Sequence, residues 1–298
     1  MTESPFPLAM DPLKDEIPAR MLVLASVAEP PRDYDGDLFG HYPGMKLGRM
    51  SDVDFFAGKL CDLAAQVLAE GTADDEWVLT APAYYRLPAG ANLLAERMHS
   101  MLCDRGVALS LVALRQSFEQ IAVHSLEEFR LSHDYSLSPL AQRVIERQRL
   151  HDMAPSDPSR RRFAKRKVIV VNDIHVTGTQ QRFMQLELAA AGASECHWLY
   201  IFHIEDELAR ACPEIEHRIN NSDLADLDSY AALLSDPATR HTARCLARLF
   251  NTEPDQFRYL VATLQPNARE RIYRLARDEE RYDIPLFAEK MRLLAGSD

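Results

Sequence analysis

The stretch Val168-Ile169-Val170-Val171-Asn172-Asp173-Ile174-His175-Val176-Thr177-Gly178-Thr179-Gln180 begins with four β-branched apolar residues. It then passes through an acid and a Thr-Gly turn into helix-forming sequence. A continuous apolar run of this kind suits a parallel strand buried on both faces. Asp173 falls where that strand is expected to end, at the edge where open α/β sheets hold ligands. Backbone N–H groups around Thr177-Gly178-Thr179 would then open a helix and offer donors to a phosphate. An acid for sugar hydroxyls beside a cradle for a phosphate is the pairing that a ribose 5-phosphate requires. An ordinary buried strand followed by an Asp-containing turn would read the same way without any ligand.

Outward from this stretch, strand and helix patterns alternate. Trp77-Val78-Leu79-Thr80 reads as a short strand broken at Ala81-Pro82-Ala83-Tyr84-Tyr85-Arg86. A helix over about 90–105 and a strand from Val107 to Leu114 follow. Beyond the Thr-Gly turn, Met184, Leu188 and Ala191 form one apolar helical row, ended by Gly192. His197-Trp198-Leu199-Tyr200-Ile201-Phe202 reads as another buried strand. The alternation predicts a parallel sheet with right-handed crossovers.

Residues 1–40, rich in Pro and Asp with one apolar run at Met21-Leu22-Val23-Leu24, read as an irregular N-terminal arm or hood. Tyr42-Pro43-Gly44-Met45-Lys46-Leu47-Gly48 reads as a turn carrying a Tyr and a Lys. Ser51 and Asp54 resemble a capping pair for the helix that follows, with Gly71 at its end. The α/β core is expected over 41–204, with a polar, lid-like insertion over 115–166. From Glu205 to the last residue, 298, only short helical patterns remain, a helical C-terminal cap.

Composition narrows the function classes. The chain has 298 residues, 47% hydrophobic and 27% charged, enough for a full core. No apolar run approaches the roughly 20 residues of a membrane span. Met1 to Pro5 carries no basic segment followed by an apolar stretch, and the five scattered cysteines form no Cys-x-x-Cys pair. A cytoplasmic protein with reduced thiols is expected, with no membrane partner. A net charge of -11 argues against stable nucleic-acid binding. The basic run Ser159 to Lys167 is a solvated lead-in to the buried strand, or a patch steering a polyanion to the neighbouring site. The histidines at 124, 133 and 151, and His203-Ile204-Glu205, lack metal-ligand spacing, and no dinucleotide, P-loop or nucleophile-elbow motif occurs.

The order of residues around Asp173 resembles the phosphoribosyl diphosphate (PRPP) motif of type I phosphoribosyltransferases: apolar strand, two acids, two variable residues, Thr-Thr-Gly, a small residue, Thr. Asp173 matches the second acid, and Thr177 and Gly178 the end of the Thr-Thr-Gly turn. Asn172 replaces the first acid, Val176 the first Thr and Gln180 the last Thr. A closer resemblance is to ComF-like phosphoribosyltransferases of bacterial stress and tellurium-resistance type operons. It runs through Tyr42, Lys46 and Gly48, and more loosely through Ile219-Asn220-Asn221-Ser222 and Leu224 to Leu234, so that it spans roughly residues 40–290.

The resemblance implies a type I phosphoribosyltransferase-like parallel sheet flanked by helices, and transfer of a phosphoribosyl group from PRPP to an unidentified acceptor. Asn172 and Asp173 would hold the ribose hydroxyls, and Val176, Thr177, Gly178, Thr179 and Gln180 the 5-phosphate. Ala83, Tyr84, Tyr85 and Arg86 would form the pyrophosphate loop, with Arg86 facing the diphosphate and Lys46 and Arg115 as further contacts. Arg86 also reads as a partner in a surface salt bridge, and Arg115 reads more simply as a plain surface residue. Mg2+ is expected through PRPP and water, without direct protein ligands. Asn172 and Val176 also fit a non-catalytic regulator that senses PRPP or a nucleotide, and the helical tail fits a protein-interaction module. The assembly state is open, a homodimer among the options.

Overall fold

A computed structural model describes residues 17–31, 37–72, 74–116, 125–133, 158–221 and 226–296. Most of the expected lid, 117–124 and 134–157, lies outside the described residues. The centre of the molecule is a five-stranded, all-parallel sheet. Its strands are β1 (Ala19–Val27), β2 (Trp77–Thr80), β3 (Leu109–Val112), β4 (Lys167–His175) and β5 (Glu195–Ile204), in the order β1-β5-β4-β2-β3.

The reason for the apolar run in β4 is visible in its packing. Val168 and Val170 face one buried cluster with Trp198 and Tyr200, while Ile169 and Val171 face another with Leu199 and Ile201. Covering both faces removes each of these side chains from water, worth roughly 1.5–3 kcal/mol per residue. Helices α1 (Asp37–Leu47), α2 (Met50–Ala69) and α3 (Gly90–Asp104) supply much of the packing on the Ile169 and Val171 face, through Met45, Phe56, Leu60, Leu94 and Met98. Helix α5 (Thr179–Ala190) covers the other face with Met184 and Leu188. Helix α4 (Leu126–His133) precedes it in the chain and contributes Phe129 to a third cluster.

Several sequence expectations change in the fold. Residues 19–27, expected within an irregular arm, form β1 and pair with β5 from Ala19↔Cys196 to Val27↔Ile204. Edge pairing rewards an apolar run that has little helical or alternating signature of its own. The expected turn at Tyr42 to Gly48 lies within α1 up to Leu47, despite Pro43 inside the helix. Burial of Tyr42, Met45 and Leu47 overrides that poor helix propensity. Gly48 then ends the helix at φ +95, with the Arg240 carbonyl oxygen 1.9 Å from where a Cβ would stand. Helix α2 starts at Met50 behind Arg49, with no side-chain cap, and Asp54 instead pairs with Arg97 at 2.5 Å.

Beyond β5 the chain is helical: α6 (Asp206–Ala211), α7 (Ile215–Asn221), α8 (Leu227–Ser235), α9 (Ala243–Phe250), α10 (Pro254–Thr263), α11 (Pro266–Asp278) and α12 (Ala288–Ala295). Its own core is aromatic, with Phe250 stacked on Tyr282 at 4.0 Å and Phe287 edge-on to Phe250 at 5.2 Å. Leu47 and Leu87 join this cluster and tie it to the sheet layer. The Thr242 hydroxyl caps α9 by accepting from the Cys245 N–H at 3.1 Å, and donates to the Lys46 carbonyl at 2.7 Å. The start of α9 is thereby pinned to the last turn of α1.

Candidate functional site

The sheet order creates one reversal. From β2 the chain moves outward to β3, and from β4 it moves the other way to β5. Strands β2 and β4 are neighbours, so their following loops diverge and leave a crevice at their C-terminal ends. A cavity of about 240 Å³ occupies this position. Pro82 and Ala83 line it after β2; Asn172, Asp173, Ile174, His175, Val176, Thr177, Gly178, Thr179 and Gln180 line it after β4. Strand β4 runs to His175, two residues past Asp173, because pairing to β5 continues through Ile174↔Phe202 and His175↔His203.

Asp173 is 7% exposed and Lys46 is 9% exposed, and their side chains form an ion pair across the cavity wall. The other Asp173 carboxylate oxygen accepts from the Ile174 N–H at 2.8 Å. Buried charges persist only when paired and hydrogen-bonded, and both conditions are met here. The Lys46 ammonium also lies 5.6 Å from the centre of the buried Tyr42 ring.

Asn172 is fixed by two contacts. Its carboxamide oxygen accepts from the Asp173 N–H at 2.9 Å, which turns its amide nitrogen to the Gln180 side-chain oxygen at 3.1 Å. The acceptor role towards a backbone N–H settles which way the amide points. Both positions departing from the resembled motif at its ends are therefore joined.

Gly178 is the N-cap of α5 and sits at φ +68. Only glycine takes that conformation without penalty, and it lets the turn lie open to the cavity. The first-turn N–H groups of Thr179, Gln180 and Gln181 have no intrahelical carbonyl to bond, as in any α-helix. The Thr177 and Thr179 hydroxyls are 3.0 Å apart beside them. The parts of an anion cradle are thus assembled: first-turn donors, two hydroxyls and the positive end of a helix dipole.

The expected pyrophosphate loop is divided. Ala83 lines the cavity, while Tyr84, Tyr85 and Arg86 are not among its lining residues. Arg86 forms an ion pair with Glu280, whose second oxygen accepts from the Tyr85 hydroxyl at 2.9 Å. Glu280 itself is a non-glycine residue at φ +62 in the turn after α11. Arg115 donates to the Tyr85 carbonyl at 3.1 Å and lies 4.0 Å over the Tyr84 ring. All peptide bonds among the described residues are trans.

Other lining residues carried no sequence signal of a role. Glu216 from α7 and Arg244 from α9 reach the cavity from the C-terminal helices. Tyr200 donates to the Gln181 side chain at 3.3 Å, and burial pushes its hydroxyl pKa up. His175 lies within the quoted stretch and lines the cavity, with its Nδ1 3.0 Å from the Nδ1 of His203. Burial, reinforced by His203, lowers its pKa. Among the described residues no group of three or more His, Cys, Asp or Glu is arranged to hold a metal ion, and no helix is long and apolar enough to cross a membrane. No family model matches this chain, and no curated protein or solved structure matches it.

Proposed function

We propose that this protein is a type I phosphoribosyltransferase-like enzyme that binds PRPP and transfers its phosphoribosyl group to an unidentified acceptor, releasing pyrophosphate. The observation that carries the reading is the meeting of Asp173, Lys46 and the Gly178 turn in one cavity at the sheet reversal. In this reading Asp173 accepts from the ribose hydroxyls, and the first turn of α5 with Thr177 and Thr179 holds the 5-phosphate. Lys46 and Arg244, the two strongly basic residues of the lining, offset phosphate charge.

The chemistry asks little covalent work of the protein. The C1–O bond to pyrophosphate breaks with its electron pair, an oxocarbenium-like ribose forms, and the acceptor bonds C1 from the opposite face and loses a proton. The residues orient the ribose, offset charge and exclude water. Mg2+ bound with the diphosphate would supply charge neutralisation, and Asp173 and Glu216, the carboxylates of the lining, are the residues that would face it.

A second reading, a PRPP or nucleotide sensor without turnover, is favoured by the engagement of Arg86 with Glu280 away from the cavity lining. Calorimetry with PRPP and Mg2+, followed by a pyrophosphate-release screen over nucleobase and amine acceptors, tests both. Binding with release supports the enzyme, binding without release the sensor, and absence of binding removes both readings.

A further inference from the structure

Among features that the ribose and magnesium roles leave unused, the pair His175–His203 borders the Gly178 turn. The two residues are register partners on the adjacent parallel strands β4 and β5. Their Nδ1 atoms are 3.0 Å apart, and the ring of His175 meets Tyr200 edge-on at 5.3 Å. The opposite ring nitrogen is placed with equal definition. A Cβ built on Gly178 would stand 3.2 Å from the Nε2 of His175, so that nitrogen borders the left-handed turn. His175 lines the cavity together with Thr177 and Thr179.

A neutral imidazole carries one N–H, and an Nδ1···Nδ1 contact requires one donor and one acceptor. Two arrangements satisfy it. When His203 donates from Nδ1, His175 must carry its own proton on Nε2, facing the turn. When His175 donates instead, its Nε2 presents a lone pair there. A phosphate oxygen is an acceptor, so it bonds the first arrangement and is repelled by the second.

We propose that His175 is a phosphate contact, donating from Nε2–H to a phosphate monoester oxygen at the Gly178 turn, and that His203 is the positioning residue that fixes the required tautomer. Holding an imidazole through its far nitrogen is how second partners set tautomers at metal sites, and the same logic serves an anion. This rests on the phosphate reading of the cavity given above.

Ribose 5-phosphate, with inorganic phosphate as a smaller probe, tests it by calorimetry. His175→Gln restores an amide nitrogen near the Nε2 position and is expected to stay within about threefold of the parent, whereas His175→Asn falls short and weakens binding by about tenfold or more. His203→Leu is expected to weaken ribose 5-phosphate comparably, and His203→Asn, which keeps a donor at the Nδ1 position, to recover most of the loss. Nitrogen-15 NMR of the labelled, folded protein with phosphate bound supplies a readout that a packing role would not move. His175 should be the Nε2–H tautomer and His203 the Nδ1–H tautomer. The inference is overturned if His175 is the Nδ1–H form, or if His203→Leu folds and binds ribose 5-phosphate normally; the cavity reading survives either result. A parent protein that binds neither ribose 5-phosphate nor PRPP removes the cavity reading and this inference together.

Discussion

The side-chain amide of Asn172 donates to the side-chain oxygen of Gln180 at 3.1 Å, linking the C-terminal part of β4 to the first turn of α5. Position 172 therefore carries a neutral group already committed to the neighbouring helix. An aspartate there would keep its acceptor role towards the Asp173 N–H, and Gln180 could rotate to donate its amide instead. Asn172→Asp is expected to strengthen Mg2+-dependent PRPP binding by about tenfold, the difference between a neutral and a charge-assisted hydrogen bond. Titration of the variant with and without Mg2+ checks it. A weaker complex in both conditions would mean that Asn172 serves a ligand lacking the diphosphate.

The buried pair of Asp173 and Lys46 couples ligand binding to stability. Asp173→Ala removes the proposed ribose contact and should weaken PRPP by about 1.5–3 kcal/mol. It also strands the Lys46 ammonium, a loss of about 3–5 kcal/mol of folding stability. Asp173→Ala combined with Lys46→Met should regain much of the stability and none of the affinity. Denaturant melts and calorimetry on both variants separate the two effects; unchanged PRPP affinity in the folded single variant would falsify the ribose role.

Gly178→Val forces a β-branched residue into φ +68 and sets a Cβ 3.2 Å from the His175 ring. The backbone penalty alone is about 1–2 kcal/mol. Ribose 5-phosphate binding is expected to vanish while circular dichroism keeps the helical and sheet signals. Ribose 5-phosphate is the sharper probe because it lacks the diphosphate and so isolates this turn from Arg86. Normal binding by the folded variant would end the phosphate assignment.

Glu280 holds Arg86 and Tyr85 together at one carboxylate. Glu280→Gly removes that anchor and relieves its positive φ at the same time. If Arg86 serves the diphosphate, PRPP affinity should rise severalfold while ribose 5-phosphate affinity stays constant. Equal changes for both ligands would place Arg86 outside the diphosphate contacts.

His241 gives a pH prediction independent of the cavity. It is 4% exposed, its Nε2 meets the Leu234 carbonyl at 3.1 Å, and burial with the help of Arg271 lowers its pKa to about 4. The unfolded chain binds the proton near pH 6.5. Between these values only the unfolded chain is protonated, so the contribution is complete above pH 6.5 and is lost as pH falls towards 4. The loss amounts to about 3 kcal/mol. His241→Gln keeps a donor for Leu234 without the titration, and its urea-denaturation stability should fall less over that range than the parent's, by about 2 kcal/mol or more.

The sequence by itself determined the central strand, because Val168 to Val171 can satisfy four consecutive apolar side chains only between two buried faces. It also determined the Thr-Gly turn, since Gly178 alone in that segment tolerates a left-handed backbone. Those local rules suffice to set Asp173, Thr177 and Thr179 together without any tertiary contact. Tertiary structure alone decided that residues 19–27 form an edge strand and that α1 accommodates Pro43, because pairing and burial outweighed weak local preferences. It alone brought Lys46 to Asp173 across 127 positions, Glu216 and Arg244 to the same cavity, and Arg86 to Glu280. Long-range partners of charged side chains leave no periodic trace, since any surface arginine or glutamate satisfies the local pattern equally. The His175–His203 pair stands between these cases: one ring lies in the quoted stretch, but only the parallel register of β4 on β5 sets the other beside it.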